Sequence, residues 1–212
     1  MFIALFGIAG RIGTRIAEEA LLRGYSVTGV YHKIGKGPLD SERLLLRPGD
    51  VTDPVNVAEI ARGNDAVISA VGPNSSSPHD FLANASRSLL AGLKMAGVGR
   101  LIVVGGAGSL EVAPGQLLMD SPDFPPAWRD AAGAHKDALE VLKQENEIEW
   151  TYISPAAMLE PGQRKGHYRV DGDKLVINSN GESRISVEDY AIAVIDELEN
   201  RTHLKRRMSV GW

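Results

Sequence analysis

Three glycines near the start of the chain have a spacing suited to binding a pyrophosphate. Gly7, Gly10 and Gly13 form G-x-x-G-x-x-G between a predicted strand and a predicted helix. A tight turn at Gly7, bare backbone at Gly10 and close packing at Gly13 would bring a phosphate to the helix N-terminus. We therefore predict a dinucleotide site at this turn. Its expected contacts also include Ala9, Arg11 and Ile12.

The end of the second predicted strand is basic where many dinucleotide sites have a carboxylate. It reads Tyr31-His32-Lys33, with no Asp or Glu before Asp40. A carboxylate would repel a ribose 2′-phosphate, whereas Lys33, assisted by His32 and Arg11, would attract one. The pattern predicts NADPH in preference to NADH. The alternative is that Lys33 and His32 are solvated loop residues.

Short apolar runs alternate with amphipathic stretches of helical length. The runs are hydrophobic on both faces, which is typical of buried parallel strands. Predicted strands are Phe2–Phe6, Ser26–Tyr31, Asp65–Ala70, Arg100–Val104 and Glu149–Ile153, with a weaker edge strand at Leu44–Arg47. Predicted helices are Ile12–Arg23, Val55–Arg62, Asp80–Ala96 and Ala132–Gln144. The alternation predicts an α/β fold with a doubly wound parallel sheet, the Rossmann fold, as a single domain over residues 1–212.

The C-terminal part departs from this alternation and predicts small additions at the open edge of the sheet. "YRVDGDKLVI" (168–177) predicts a hairpin with Asp171 and Gly172 in its turn. Ser186, with Asp189 three residues later, predicts the N-terminus of a helix. "RRMSVGW" (206–212) predicts a final strand.

Composition argues against several classes of function. The chain has 212 residues, a net charge of −4 and no cysteine. The charge indicates no surface for nucleic acid or a membrane, and the lack of cysteine excludes disulfides and thiolate chemistry. The five histidines show no ligand spacing, so we expect no metal site. The first residues lack the basic region of a signal peptide, which predicts a cytoplasmic protein. The sequence leaves the oligomeric state open.

Other segments resemble the extended and atypical short-chain dehydrogenase/reductase superfamily. "GDVTD" (49–53) is similar to the segment after the third strand that borders the adenine, and "SAVGP" (69–73) to the turn beside the adenine ribose. "VVGGAGSL" (103–110) resembles the strand end that carries a catalytic serine, here Ser109. The cofactor contacts that this resemblance implies are Asp50, Val51, Ala70, Val71 and Gly72.

The catalytic motif of that superfamily is incomplete in this chain. Its members use Tyr-x-x-x-Lys, in which the tyrosine passes a proton to a carbonyl oxygen. Ala132 stands at the tyrosine position and Lys136 at the lysine position. Hydride transfer to a flavin or quinone would need only ring stacking and exclusion of solvent. Ser109 and Lys136 are the candidate catalytic residues; a turn cap and a solvated helix lysine are the respective alternatives.

Over its whole length the chain resembles NADH-flavin reductases, close to NmrA-like and biliverdin/flavin reductase proteins. The resemblance is carried by "GGAGSLEVAPG" (105–115), "WTYISPAAMLEPGQRKGHYRV" (150–170) and "GESRISVEDYAIAVIDELE" (181–199). It implies hydride transfer from NAD(P)H to a small-molecule acceptor, a flavin (FMN or FAD) or a quinone. The alternatives are a non-catalytic redox sensor of NmrA-like type, and a carbonyl reductase or epimerase.

Two further segments are expected near the reacting rings. Ser154, Pro155 and Ala156 end the sixth predicted strand at the carboxyl side, where ligands of doubly wound sheets lie. We therefore predict that they face the nicotinamide. The proline-rich, apolar segment 111–129 predicts a lid over the acceptor ring, with a loop packed on its own domain as the alternative.

Overall fold

The computed structural model describes residues 1–32, 41–73 and 77–212, which form twelve strands and five α-helices. The strands are β1 (Phe2–Phe6), β2 (Ser26–Tyr31), β3 (Leu44–Pro48), β4 (Ala66–Ser69), β5 (Arg100–Val104), β6 (Glu111–Ala113), β7 (Gln116–Leu117), β8 (Glu149–Ser154), β9 (Met158–Glu160), β10 (Arg169–Asp171), β11 (Arg184–Ser186) and β12 (Arg206–Gly211). The helices are α1 (Arg11–Leu22), α2 (Pro54–Ala61), α3 (Phe81–Ala96), α4 (Arg129–Lys143) and α5 (Val187–Asn200), with short 3₁₀ turns at Leu118–Asp120 and Pro126–Trp128.

The main sheet of the described chain has eight strands in the order β10-β12-β8-β5-β4-β1-β2-β3. Its strands pair in parallel apart from β10, which is antiparallel to β12. From β1 the chain runs outward through β2 to β3, then returns to place β4 on the other side of β1. This reversal opens a crevice at the carboxyl ends of β1 and β4, where doubly wound sheets bind ligands.

Helices cover both faces of the sheet and create two apolar layers. Helices α1 and α5 pack on one face, with Ile16 and Val194 buried against the strands. Helices α2, α3 and α4 pack on the other, with Leu89 and Leu139 buried. Neighbouring residues of a strand point to opposite faces of the sheet. Because helices cover both faces, every residue of β5 is buried. The predicted doubly wound α/β fold is confirmed, and β3 is the expected edge strand.

The C-terminal additions follow the prediction in two cases and contradict it in one. Asp189 N–H donates to Ser186 Oγ at 3.0 Å, so Ser186 caps α5 as expected. The final strand forms as β12. The hairpin expected over 168–177 is wrong, because β10 pairs with β12 instead, with Val170 opposite Val210. Strand β12 is buried almost throughout and its outer edge needs a partner, which the first arm of the expected hairpin supplies.

Helices α2 and α3 approach closely at Gly92, and this contact gives a test of the packing. A Cβ at Gly92 would lie 2.5 Å from Val57 Cγ1 and 2.8 Å from the carbonyl oxygen of Pro54. Alanine would be favoured by helix propensity by about 0.5–1 kcal/mol, but overpacking costs about 1–3 kcal/mol. We expect Gly92→Ala to lower the free energy of unfolding in urea by about 1–2 kcal/mol.

The matched control is Gly99→Ala, because no described atom lies within 4 Å of a Cβ built at Gly99. This variant should be at least as stable as the wild type. Equal effects of the two substitutions would show that the α2–α3 contact tolerates a methyl group.

Candidate active site

The glycine turn is built by close approach of backbone to backbone. Gly7 has a φ of +84°, and a Cβ there would lie 2.7 Å from the carbonyl oxygen of Ala70. A Cβ at Gly13 would lie 2.1 Å from the carbonyl oxygen of Gly7. Gly10 is the N-cap of α1, and no described side chain caps the helix there. The free amides at this N-terminus, beside two glycines that carry no side chain, fit the diphosphate of a dinucleotide.

A first pocket of about 640 Å³ opens at the carboxyl ends of β1, β2 and β4. It brings together turns that are far apart in the sequence and that were predicted separately to touch the cofactor. The predicted residues that line it are Gly7, Tyr31, His32, Asp50, Val51, Val71 and Gly72. The turn residues Ala9, Gly10, Ile12 and Gly13 lie beside this pocket without lining it, Ala70 backs Gly7, and Lys33 lies outside the described residues.

Asp50 gives the first pocket a fixed negative charge at its rim. Its Oδ1 accepts hydrogen bonds from Thr52 Oγ1 at 2.7 Å and from Thr52 N–H at 2.8 Å. These hydrogen bonds, the hydroxyl first, hold the pKa of the Asp50 carboxyl below its usual value. Asp50 is therefore an ionised acceptor at neutral pH, suited to a hydroxyl or amino group of a ligand.

A second pocket of about 550 Å³ lies beyond the carboxyl ends of β5 and β8, on the other side of the glycine turn. Its walls are largely apolar and come from the turn after β5, helix α4 and the segment after β8. The lining residues are Arg11, Gly106, Ala107, Gly108, Leu118, Ser121, Asp123, Phe124, Pro125, Trp128, Ala131, Ala132, His135, Pro155, Ala156, Ala157, Met158, Leu159 and Glu160.

Some of the cofactor-binding residues predicted from the sequence line this second pocket, with two differences from the prediction. Pro155 and Ala156 line it, whereas Ser154 is fully buried below, and its Oγ has no hydrogen-bond partner among the described residues. Arg11 also lines it, and its Nη2 donates to the carbonyl oxygen of Leu159 at 3.4 Å. Arg11 therefore points away from the strand end that was expected to bind a 2′-phosphate, because α1 turns it towards β9.

The segment 111–129 forms one wall of the second pocket. It contains the small β6–β7 hairpin and both 3₁₀ turns, and Phe124 packs edge-on against Trp128 with ring centroids 6.4 Å apart. Trp128 is 52% exposed although it lines the pocket. An aromatic ring left half in solvent at a pocket mouth is suited to contact a planar ligand. The role of this segment as a lid stays a prediction.

Helix α4 brings His135 to the second pocket, where it meets Tyr152 of β8. Tyr152 Oη donates to the carbonyl oxygen of His135 at 2.8 Å, accepts from Gly106 N–H at 3.2 Å, and lies 3.4 Å from His135 Nδ1. The strand end can pass over the Tyr152 ring only as glycine, because a Cβ at Gly105 would lie 2.2 Å from Cε1. Burial lowers the pKa of His135 to about 4 and raises that of Tyr152. The pair is uncharged at neutral pH.

The sequence-based choice of catalytic residues differs from this arrangement. Ser109 is buried, its Oγ accepts from Arg207 Nη1 at 3.0 Å, and it is not among the described residues that line either pocket. Lys136 is exposed and is likewise absent from the described lining. Successive residues of a helix point about 100° apart, so His135 faces the pocket where the motif spacing had indicated Lys136. The signal available in the sequence was the Gly105-Gly106 pair, which allows this close packing.

The chain is similar to known proteins over nearly its whole length. Residues 7–198 match a family described as NAD(P)H-binding. YwnB of Bacillus subtilis (strain 168), an uncharacterized protein, is 38% identical over 99% of this chain and 98% of its own. A solved structure from Bacteroides thetaiotaomicron, described as a "putative epimerase", is 40% identical with a TM-score of 0.92, covering 100% of this chain and 96% of that one.

A second solved structure, from Streptococcus pneumoniae TIGR4, is described as a "putative NADH-flavin reductase". It is 33% identical with a TM-score of 0.84, and the match covers 100% of this chain and 99% of that one. The chain belongs to the NAD(P)H-binding family, which confirms the predicted NAD(P)-binding Rossmann protein. Within residues 1–32, 41–73 and 77–212, every helix is too short or too polar to cross a bilayer.

The buried His135 ring predicts a pH dependence of stability. Its folded-state pKa of about 4 lies below the ordinary value of 6.5, so between these values the unfolded chain binds more protons than the folded one. The wild type should therefore lose stability as the pH falls from 6.5 towards 4, by up to about 1.4 kcal/mol per pH unit. His135→Asn should lack this contribution in urea unfolding at pH 7 and 5. If the unfolding free energies of the two proteins changed equally with pH, the lowered pKa of the His135 ring would be contradicted.

Ser109 gives a second prediction, because its hydroxyl bonds a buried cation. Arg207 Nη1 also donates to the Ser109 carbonyl oxygen at 2.9 Å, and Arg207 Nε donates to Asp173 at 2.8 Å. Ser109→Ala should cost about 1–2 kcal/mol of unfolding free energy, since one charged hydrogen bond is lost. Turnover of NADPH should change less than about twofold, in contrast to the 10²–10⁴-fold expected for a proton-transferring group. A larger fall in kcat would support the catalytic role predicted for Ser109 from the sequence.

Proposed function

We propose that the protein is an NADPH-dependent reductase that transfers hydride to a flavin or a quinone. The observation that carries this proposal is the arrangement of two pockets on either side of the glycine turn. The first is lined by residues of β1 and β2 and of the turns after β3 and β4, and has the Asp50 carboxylate at its rim. The second is mainly apolar and walled by aromatic side chains. A dinucleotide laid across the turn would place its adenosine in one and its nicotinamide in the other.

The residues around the second pocket suit an acceptor that needs no protein acid. Ala132 occupies the position of the usual tyrosine donor, and Gly108 packs on it so closely that their Cβ atoms would be 2.5 Å apart. His135 is neutral and Tyr152 is held protonated by burial. NADPH supplies the hydride when bound, and a flavin or quinone spreads the added charge over its own ring system. The chain's residues have to stack the two rings and exclude water.

The preference for NADPH rests on the end of β2. Tyr31 and His32 line the first pocket, and Lys33 follows directly in the sequence. No carboxylate occupies the position that would repel a 2′-phosphate. Since Arg11 faces the second pocket, we expect His32 and Lys33 to bind that phosphate without it. The cytoplasmic location of this reaction also stays a prediction.

The proposal is tested by following the nicotinamide absorbance of NADPH with FMN or a soluble quinone as the acceptor. We expect steady turnover with at least one of them, and at least about tenfold tighter binding of NADPH than of NADH, a difference of about 1.4 kcal/mol. Tight binding without turnover would favour the alternative, a redox sensor that holds the dinucleotide. A tenfold preference for NADH would overturn the assignment of the 2′-phosphate site.

Trp128 provides a test of the acceptor side alone. Trp128→Ala should raise the KM for the flavin or quinone about fivefold, because an aromatic stacking contact is worth about 1 kcal/mol. The Kd of NADPH should stay the same. Met95→Ala, which removes an exposed side chain of α3 that is not part of the described pocket lining, is the matched control. Equal losses of acceptor and NADPH affinity would show that Trp128 only packs the segment around it.

A further inference from the structure

The hydrogen bonds of Tyr152 determine which nitrogen of His135 carries the proton. Tyr152 Oη has one hydrogen, and its shorter contact is to the His135 carbonyl oxygen at 2.8 Å. Gly106 N–H donates to the same Oη. The remaining lone pair of Oη is left for His135 Nδ1 at 3.4 Å, and this contact is favourable when Nδ1 is the N–H donor.

The other ring nitrogen is then an acceptor without a partner. A neutral imidazole with hydrogen on Nδ1 has a lone pair on Nε2, and burial keeps the ring neutral with a pKa of about 4. Within the described chain, Nε2 makes no hydrogen bond, although His135 lines the second pocket. An acceptor left in mainly apolar surroundings is satisfied when a ligand brings a donor to it.

Building on the proposed reductase function, we propose that His135 is a specificity-determining residue, whose Nε2 accepts a hydrogen bond from a ring N–H of the acceptor. Tyr152 is the positioning residue that fixes the tautomer and holds the imidazole against Gly106. The pocket therefore prefers a planar ring with an imide or lactam N–H. An oxidised quinone presents only acceptor oxygens to this lone pair and gains nothing from it.

The rest of the second pocket suits a ligand ring that donates one hydrogen bond to His135 and otherwise makes only stacking contacts. Phe124 and Trp128 offer aromatic surface, and Ala132 and Ala156 leave flat apolar wall. The polar side chains Arg11, Asp123 and Glu160 are exposed, whereas His135 is partly buried. Discrimination by a partly buried hydrogen bond is stronger than by one at an exposed rim, because water replaces the missing partner less readily there.

The test compares lumiflavin with 3-methyllumiflavin, which differ in a single ring N–H, in NADPH-dependent reduction by the wild type and by His135→Leu. The wild type should show a kcat/KM about tenfold higher for lumiflavin. His135→Leu should reduce the two flavins with a ratio below about two, since the lone pair is gone. His135→Gln, whose amide oxygen can accept the same bond, should recover part of the ratio. A role in packing alone would not move this ratio.

Two outcomes would overturn the inference. A ratio near one in the wild type means that no N–H is recognised, and an unchanged tenfold ratio in His135→Leu means that the methyl group is excluded by shape. If His135→Leu fails to fold, His135→Phe gives the same test with a ring that has no lone pair. The quinone menadione separates this inference from the proposed function. Wild type that reduces menadione and both flavins, with a flavin ratio near one, contradicts the role of His135 alone, whereas no turnover of any acceptor contradicts the reductase.

Discussion

The contact between Gly13 and the carbonyl of Gly7 is the constraint on which the site depends. A Cβ at position 13 would fall 2.1 Å from that oxygen, so α1 can start directly above β1 only with glycine there. This closeness places the uncapped N-terminus of α1 between the two pockets. The positive end of the helix dipole then lies where a diphosphate would cross from one pocket to the other.

A second close approach organises the other half of the site. Gly105 passes over the Tyr152 ring and Gly106 lies against His135, so β5, β8 and α4 meet without intervening side chains. Buried polar groups need partners, and the Tyr152 hydroxyl satisfies the Gly106 amide and the His135 carbonyl together. The same bonds that complete the backbone also orient an imidazole. One tyrosine therefore both satisfies buried backbone groups and orients the His135 ring.

Local pattern was sufficient for the sheet and for the glycine turn, since both depend on periodicity and on backbone sterics. The hairpin at 168–177 failed because its first arm completes the edge of β12, a partner 40 residues away that no local signal reveals. The motif spacing indicated Lys136 and Ser109, and neither is among the described residues that line the two pockets. Tertiary packing decides which face of α4 meets β5. It also brings Arg207 of the last strand to Ser109.

The two pockets have no lining residue in common within the described chain. The first is lined by β1, β2 and the turns after β3 and β4, and the second largely by α4 and the segments after β5 and β8. Substitutions in the lining of one pocket can therefore leave the lining of the other unchanged. A scaffold divided in this way would let the lining of the second pocket diversify over evolution while the first pocket is kept.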